Sequence, residues 1–230
     1  MAKIFLIGAG PGTKEHVTPA ARESVRRATV VIGAERALEL FHDDIKDEAY
    51  TLKAGNIDEV LQRALKFAQD GKSVALLSTG DPTFFGLLKT IHERLPSDLE
   101  LEIVPGISSI QICTSRLQIC LEEIGLILSF HGRPDVEKAR LLEAVGNGKI
   151  ALILPDPKFQ PNQISNYLID SGIDPKTPAA VCENLTYDNE RITEGDLRTI
   201  SSWKFDTMCI MVVGSWRRRR LQSSGLGDVS

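Results

Sequence analysis

Three short runs of small residues carry most of the chemistry the sequence offers. They are Gly8-Ala9-Gly10-Pro11-Gly12, Ser78-Thr79-Gly80-Asp81-Pro82 and Val104-Pro105-Gly106-Ile107-Ser108-Ser109. Glycine lets a backbone turn sharply or approach a ligand closely. The first run resembles a dinucleotide-binding turn. However, Thr13 stands where the third glycine of that fingerprint belongs, Pro11 interrupts the turn, and no Walker-type lysine follows. A generic tight turn is its other reading. In the second run the Asp81 carboxylate can face an ammonium or hydroxyl of a ligand, or it can cap a helix with Pro82 in the first turn. In the third, the Ser108 and Ser109 hydroxyls can bond a ligand or cap the helix that follows. Each run follows an apolar segment that reads as a strand. In a parallel sheet all three would lie at the carboxyl edge, where open α/β sheets bind ligands. The missing lysine argues for a ligand without a triphosphate.

The positioning elements alternate strand and helix. Residues 3–8, 29–32, 73–77 and 99–104 read as buried strands. Thr18 caps a helix that begins at Pro19 and runs to about Arg27, and Asn56 caps a second that stops at Gly71. A third helix is expected over 84–94. This alternation predicts an α/β fold with a parallel sheet covered on both faces. Further along, 125–130, 149–154, 178–182 and 207–214 read as strands, and 135–145 and 161–171 as helices. A turn at Asp188-Asn189 suggests a hairpin, so the second sheet is expected to be mixed. The expected organisation is an N-terminal α/β domain over 1–108, a C-terminal α/β domain over 109–214 and a disordered tail over 215–230. The basic run Arg217–Arg220 reads as a solvated part of that tail.

Composition narrows the function. The 230 residues are 42% hydrophobic and 25% charged, with a net charge of −4, so nothing global points to nucleic acid or an anionic membrane. No apolar stretch has the length of a membrane helix, and the opening run Ile4–Ile7 is too short for a signal peptide. Cys113, Cys120, Cys182 and Cys209 form no CxxC pair and read as small core residues, so no metal site is expected. A reducing cytoplasm is the expected compartment.

The set GAGPG, STGDP and PGISS, in that order and spacing, with ENL at Glu183–Leu185, resembles the tetrapyrrole methylase family over nearly all of residues 1–214. TGDPTFFG, PGISSIQ, SFHGR at Ser129–Arg133 and ENLTYDNERITEG resemble the branch that methylates carbon 5 of precorrin-7 or its cobalt form in cobalamin biosynthesis. The resemblance implies two α/β domains with a ligand cleft between them, and S-adenosylmethionine as methyl donor, leaving as S-adenosylhomocysteine. It also implies a homodimer. In some organisms this enzyme is fused to a decarboxylating carbon-15 methyltransferase; here that activity is expected on a separate protein.

The family pattern also assigns residues. Pro11 packs near the donor. Thr79, Gly80 and Asp81 hold its methionine part, with Asp81 facing the amino group, and Phe84 packs beside it. Ser108 and Ser109 contact the donor from the third loop, and Leu154 and Leu185 close over the adenine. Some uroporphyrinogen-methylating relatives carry an acid after the second strand, where this chain has Ala34, so no catalytic acid carries over there.

A sulfonium donor loses its methyl group to leave a neutral thioether, so the enzyme's task is to hold an electron-rich carbon in line. Such positioning supplies on the order of 7–11 kcal/mol in well-aligned systems. The implied acceptor bears many carboxylates, and Arg36, His131, Arg133 and Arg191 are the candidates to meet them; arginine grips a carboxylate with two parallel hydrogen bonds. For Arg36 and Arg191 a solvated surface charge is the alternative. His131 is the first candidate to move a proton. Glu183 is the second, unless its carboxylate bonds backbone amides. Three other readings stand beside this one: another tetrapyrrole or diphthamide-type methyltransferase of the same family, a nucleotide-dependent oxidoreductase with Glu35 near the second strand, or a non-catalytic donor-binding module.

Overall fold

The computed structural model describes residues 3–52, 57–94, 96, 99–131 and 134–216. The first half runs β1 (Ile4–Gly8), α1 (Pro19–Arg27), β2 (Val30–Gly33), α2 (Glu35–Leu40), β3 (Glu48–Thr51), α3 (Ile57–Gln69), β4 (Val74–Ser78), α4 (Leu88–Arg94), β5 (Leu101–Val104) and α5 (Ser109–Leu117). Every residue of β1, β2 and β4 is buried. A strand apolar on both faces must be covered on both, and the two-residue period divides its side chains between them. Phe5, Ile7, Val31, Ala75 and Leu77 pack against Ala21 and Val25 of α1 and Ala37 of α2. Ile4, Leu6, Val30, Ile32, Val74 and Leu76 pack against Val60, Leu61 and Ala64 of α3 and Ile91 of α4. Each of the Val, Leu, Ile and Phe side chains among them contributes about 1.5–3 kcal/mol when fully buried.

The strand order is β3-β2-β4-β1-β5, and every pairing is parallel, as expected. All carboxyl ends therefore share one edge. The three strands followed by the small-residue loops, β4, β1 and β5, are adjacent. The chain leaves β1 for a helix on one face and leaves β4 for a helix on the other. The space above this neighbouring pair is the topological switch point, where open α/β sheets bind ligands.

Local signals behave as their chemistry dictates. The Thr18 Oγ1 accepts the Ala21 N–H at 3.1 Å and caps α1, with Pro19 at the first helical position. Gly71 stops α3 at φ +84°. The expected cap at Asn56 lies outside the described residues. The helix expected from residue 84 begins at Leu88 instead, because Phe85 takes φ +54° and turns the chain back. Beside it, Gly86 has no room for a Cβ, which would meet the Asp81 carbonyl oxygen at 2.7 Å.

The second half runs β6 (Ile124–Ser129), α6 (Pro134–Gly146), β7 (Ile150–Leu154), α7 (Pro161–Asp170), β8 (Pro178–Glu183), β9 (Arg191–Asp196), α8 (Leu197–Ser201) and β10 (Cys209–Val213). These strands form a second sheet in the order β6-β7-β10-β8-β9. It is mixed, as expected: β6 runs parallel to β7, with an irregularity between Ile124 and Leu126, and β10 runs antiparallel to β7. β8 and β9 are neighbours and flank the turn at Asp188-Asn189.

The chain divides into two compact units. Among the described residues, one comprises those up to Ile112 with Cys182–Ile192 and Asp206–Ile210; the other comprises those from Cys113 to Val181, Thr193–Phe205 and those from Met211 to residue 216. Among the described residues, no helix is long and apolar enough to cross a membrane.

Candidate functional site

In the first unit the three loops meet backbone to backbone. The Ala9 N–H donates to the Ser78 carbonyl at 2.8 Å. Gly10 and Gly80 form an isolated antiparallel bridge, donating to each other's carbonyls at 3.3 and 2.9 Å. Both take left-handed backbone angles, φ +78° and +69°, which glycine adopts without strain. The third loop is equally close: a Cβ on Gly106 would stand 2.3 Å from the Gly80 carbonyl oxygen. No larger residue fits there.

Asp81 locks this junction. Its Oδ1 accepts the Thr83 N–H at 2.8 Å and the Thr83 hydroxyl, and its Oδ2 accepts the Gly106 N–H at 3.0 Å. Asp81 therefore ties the second loop to the third and does not cap α4. A carboxylate offers about four acceptor positions, so three internal bonds leave capacity for one more donor. Ser108 accepts the Ile110 N–H at 3.3 Å while its own N–H donates to Gln111 Oε1 at 2.8 Å, a reciprocal cap on α5. Ser109 follows as the first residue of α5. Pro11 and Gly80 are buried, and Thr79 is exposed. Phe84, 38% exposed, lies edge-on to Phe85 with ring centroids 5.3 Å apart.

The loop after β8 belongs to the same unit, so Glu183, Leu185 and Arg191 group with the glycine loops. Glu183 is fully buried. Its carboxylate accepts from Arg191 Nε at 2.6 Å and Nη2 at 2.7 Å, and from the Asp206 N–H at 2.8 Å. The Glu183 hydrogen bond, with its charge, pushes the Arg191 guanidinium above its ordinary value. Nearby, burial first, then the charges of Glu183 and Asp206, push the Cys209 thiol up to about 12. Asn184 takes φ +48° and donates to Asp206 Oδ2 at 2.6 Å. Leu185 is buried. Arg36, exposed on α2, lies against the Met208 sulfur.

His131 and Leu154 belong to the second unit. His131 is exposed, and its Nδ1 lies 3.0 Å from Ser129 Oγ. Leu154 ends β7, and its carbonyl accepts the Phe130 N–H at 3.1 Å. Arg133 lies outside the described residues. Among the described residues, no group of three or more His, Cys, Asp or Glu side chains is placed to hold a metal ion.

Two residues escaped the sequence reading. Thr186 and Tyr187 border the first loop so tightly that a Cβ on Gly12 would meet Thr186 Oγ1 at 2.7 Å and Tyr187 Cε2 at 2.5 Å. Their hydroxyl oxygens are buried and have no partner among the described residues.

The family model for tetrapyrrole (corrin/porphyrin) methylases matches residues 3–201, and the chain belongs to this family of methyltransferases. A probable cobalt-precorrin-7 C(5)-methyltransferase from Methanocaldococcus jannaschii is 37% identical over 209 residues, covering 91% of this chain and 96% of the relative. The crystal structure of the cobalamin biosynthesis precorrin-6Y methylase from Archaeoglobus fulgidus is 30% identical, with a TM-score of 0.71 over 94% of this chain and 99% of the other. A uroporphyrin-III C-methyl transferase from Thermus thermophilus, complexed with S-adenyl homocysteine, shares the fold at 21% identity, with a TM-score of 0.73 over 93% and 92% of the two chains.

Proposed function

We propose that this methyltransferase uses S-adenosylmethionine to methylate carbon 5 of precorrin-7, or of its cobalt form, in cobalamin biosynthesis. The observation that carries the reading is the backbone junction of Gly10, Gly80 and Gly106 above adjacent strands, latched by Asp81. The relative at 37% identity supports the position on the macrocycle. The donor fits what the residues offer: a glycine cradle, one acidic side chain with spare acceptor capacity, and buried hydroxyls without a partner among the described residues.

When bound, the donor supplies an electrophilic methyl group on a positively charged sulfur. Asp81 holds its amino group through the remaining acceptor position, flanked by Thr79 and Gly80. Pro11, Phe84 and Leu185 give apolar contact. The Ser108 hydroxyl accepts the Ile110 N–H and keeps its own proton to donate, so Ser108 and Ser109 both give polar contact from the third loop. Arg36 and Arg133 meet carboxylates of the macrocycle. Glu183 and Arg191, each engaged by the other, act as positioning residues that fix the loop after β8. His131 moves a proton at the acceptor; a His131→Ala variant with full turnover between about pH 6 and 9 would remove that role.

The test is a turnover assay with methyl-13C-labelled donor and precorrin-7 or cobalt-precorrin-7, read by 13C NMR. Label at carbon 5 is expected. Label at another carbon, or none, overturns the assignment. The reading extends to a cytoplasmic homodimer that works beside a separate decarboxylating carbon-15 methyltransferase. Light scattering checks the dimer, and release of a carbon-15-unmethylated product checks the division of labour.

A further inference from the structure

Buried polar atoms in native proteins nearly always have a hydrogen-bond partner, and each exception calls for an explanation. Thr186 and Tyr187 present two exceptions side by side. The Thr186 Oγ1 and the Tyr187 OH are shielded from solvent, and neither bonds any described residue. Thr186 also holds φ +77°, a left-handed angle that costs a β-branched residue energy. Strain of that kind persists where the surroundings over-determine it, and it concentrates at ligand clamps. The surroundings here are explicit. The Thr186 N–H is tied to Glu190 Oε2 at 2.7 Å, and Tyr187 N–H to the Asn184 carbonyl at 3.0 Å. Asn184, itself left-handed at φ +48°, is anchored on Asp206. The backbone is thus pinned in a shape that brings both side chains against Gly12, the last glycine of the first loop. A residue with a Cβ at position 12 would collide with both.

We infer that the Thr186 and Tyr187 hydroxyls are further donor-binding groups, adding hydrogen bonds to the methyl donor from the loop after β8. This rests on the donor assignment proposed above. A hydroxyl both donates and accepts, so two adjacent ones match the sugar and amino-acid oxygens and nitrogens of a nucleoside thioether. The loop after β8 then does two things: its ion pair between buried Glu183 and half-exposed Arg191 fixes the shape, and its two hydroxyls read the ligand. The binding of a polar ligand here relieves the cost of unpaired buried oxygens, so ligand-free protein bears a penalty that bound protein does not.

The experiment compares wild type with Thr186→Val and Tyr187→Phe, which delete one hydroxyl each and keep the shape. S-adenosylhomocysteine binding is measured by calorimetry, and the Tm is measured without ligand. Each variant is expected to bind roughly tenfold more weakly, with a ligand-free Tm equal to or above wild type, because an unpaired buried hydroxyl has been removed. Affinity within about twofold of wild type overturns the inference, whatever happens to Tm. So does weakened binding that comes with a lowered ligand-free Tm, since the hydroxyls would then be holding internal structure, for example through a buried water. Failure of wild type itself to bind S-adenosylhomocysteine would instead strike the donor assignment, so the two failures are told apart.

Discussion

Gly8 and Gly106 touch through their backbones: a Cβ on Gly8 would lie 2.4 Å from the Gly106 nitrogen, and one on Gly106 would lie 2.7 Å from the Gly8 Cα. Backbone atoms cannot rotate away as a side-chain tip can. The expected outcome for Gly106→Ala is a destabilisation of about 1–3 kcal/mol, the range for inserting a methyl group into packed structure. Urea unfolding checks it, as a lower midpoint with an unchanged slope. S-adenosylhomocysteine affinity should fall with it, because the loops are forced apart.

The Glu183–Arg191 pair gives a second expectation. Glu183 is fully buried while the Arg191 side chain is half exposed, so removing the guanidinium leaves the carboxylate with its desolvation penalty, whereas replacing both partners does not. Arg191→Met leaves Glu183 fully buried with its guanidinium gone. Its Tm should fall by roughly 5 °C or more. The double variant Glu183→Gln with Arg191→Met should recover part of that loss. A double-mutant cycle measures the coupling, and additive losses would mean that the two side chains act independently.

Asp196 gives the pH dependence. Its Oδ1 accepts the Thr199 N–H at 2.8 Å and the Thr199 hydroxyl at 2.7 Å, capping α8, and these bonds hold the carboxyl below its ordinary 3.8. With the folded value depressed, the unfolded chain binds the proton more readily. The contribution is therefore complete above 3.8 and is lost as pH falls through the folded value. Asp196→Ala should lower the Tm at about pH 7, and the gap from wild type should narrow as pH approaches about 2.5. Paired thermal melts across that range check the trend.

The sequence reading succeeded where glycine, proline and an uninterrupted apolar run coincide. The loops after β1, β4 and β5 were legible for that reason, and so was the α1 start at Thr18-Pro19. It missed α2 and β3. α2 is six residues long and has no side-chain cap at Ala34, and β3 is a largely exposed edge strand whose order comes from pairing with β2. Both are made by tertiary contact and have little local signal. The same limit explains the site. Nothing in the string ENLTYDN says that Thr186 will sit at φ +77° or that Gly12 is the residue it meets. The spacing of Glu183 and Arg191 likewise does not say that they bind each other. For Asp81 the sequence leaves helix cap and ligand contact open, and its actual partner, the Gly106 amide in the next loop, is visible only in three dimensions.

On this reading the three loops above β4, β1 and β5 hold the methyl donor together. Hydrogen–deuterium exchange of the full chain, with and without S-adenosylhomocysteine, tests it most directly. The amides of residues 8–10, 12, 79–81, 83 and 106–109 should slow together on binding, with those of 184–187 following. Protection confined to one of these loops, or falling on segments away from all of them, would contradict it.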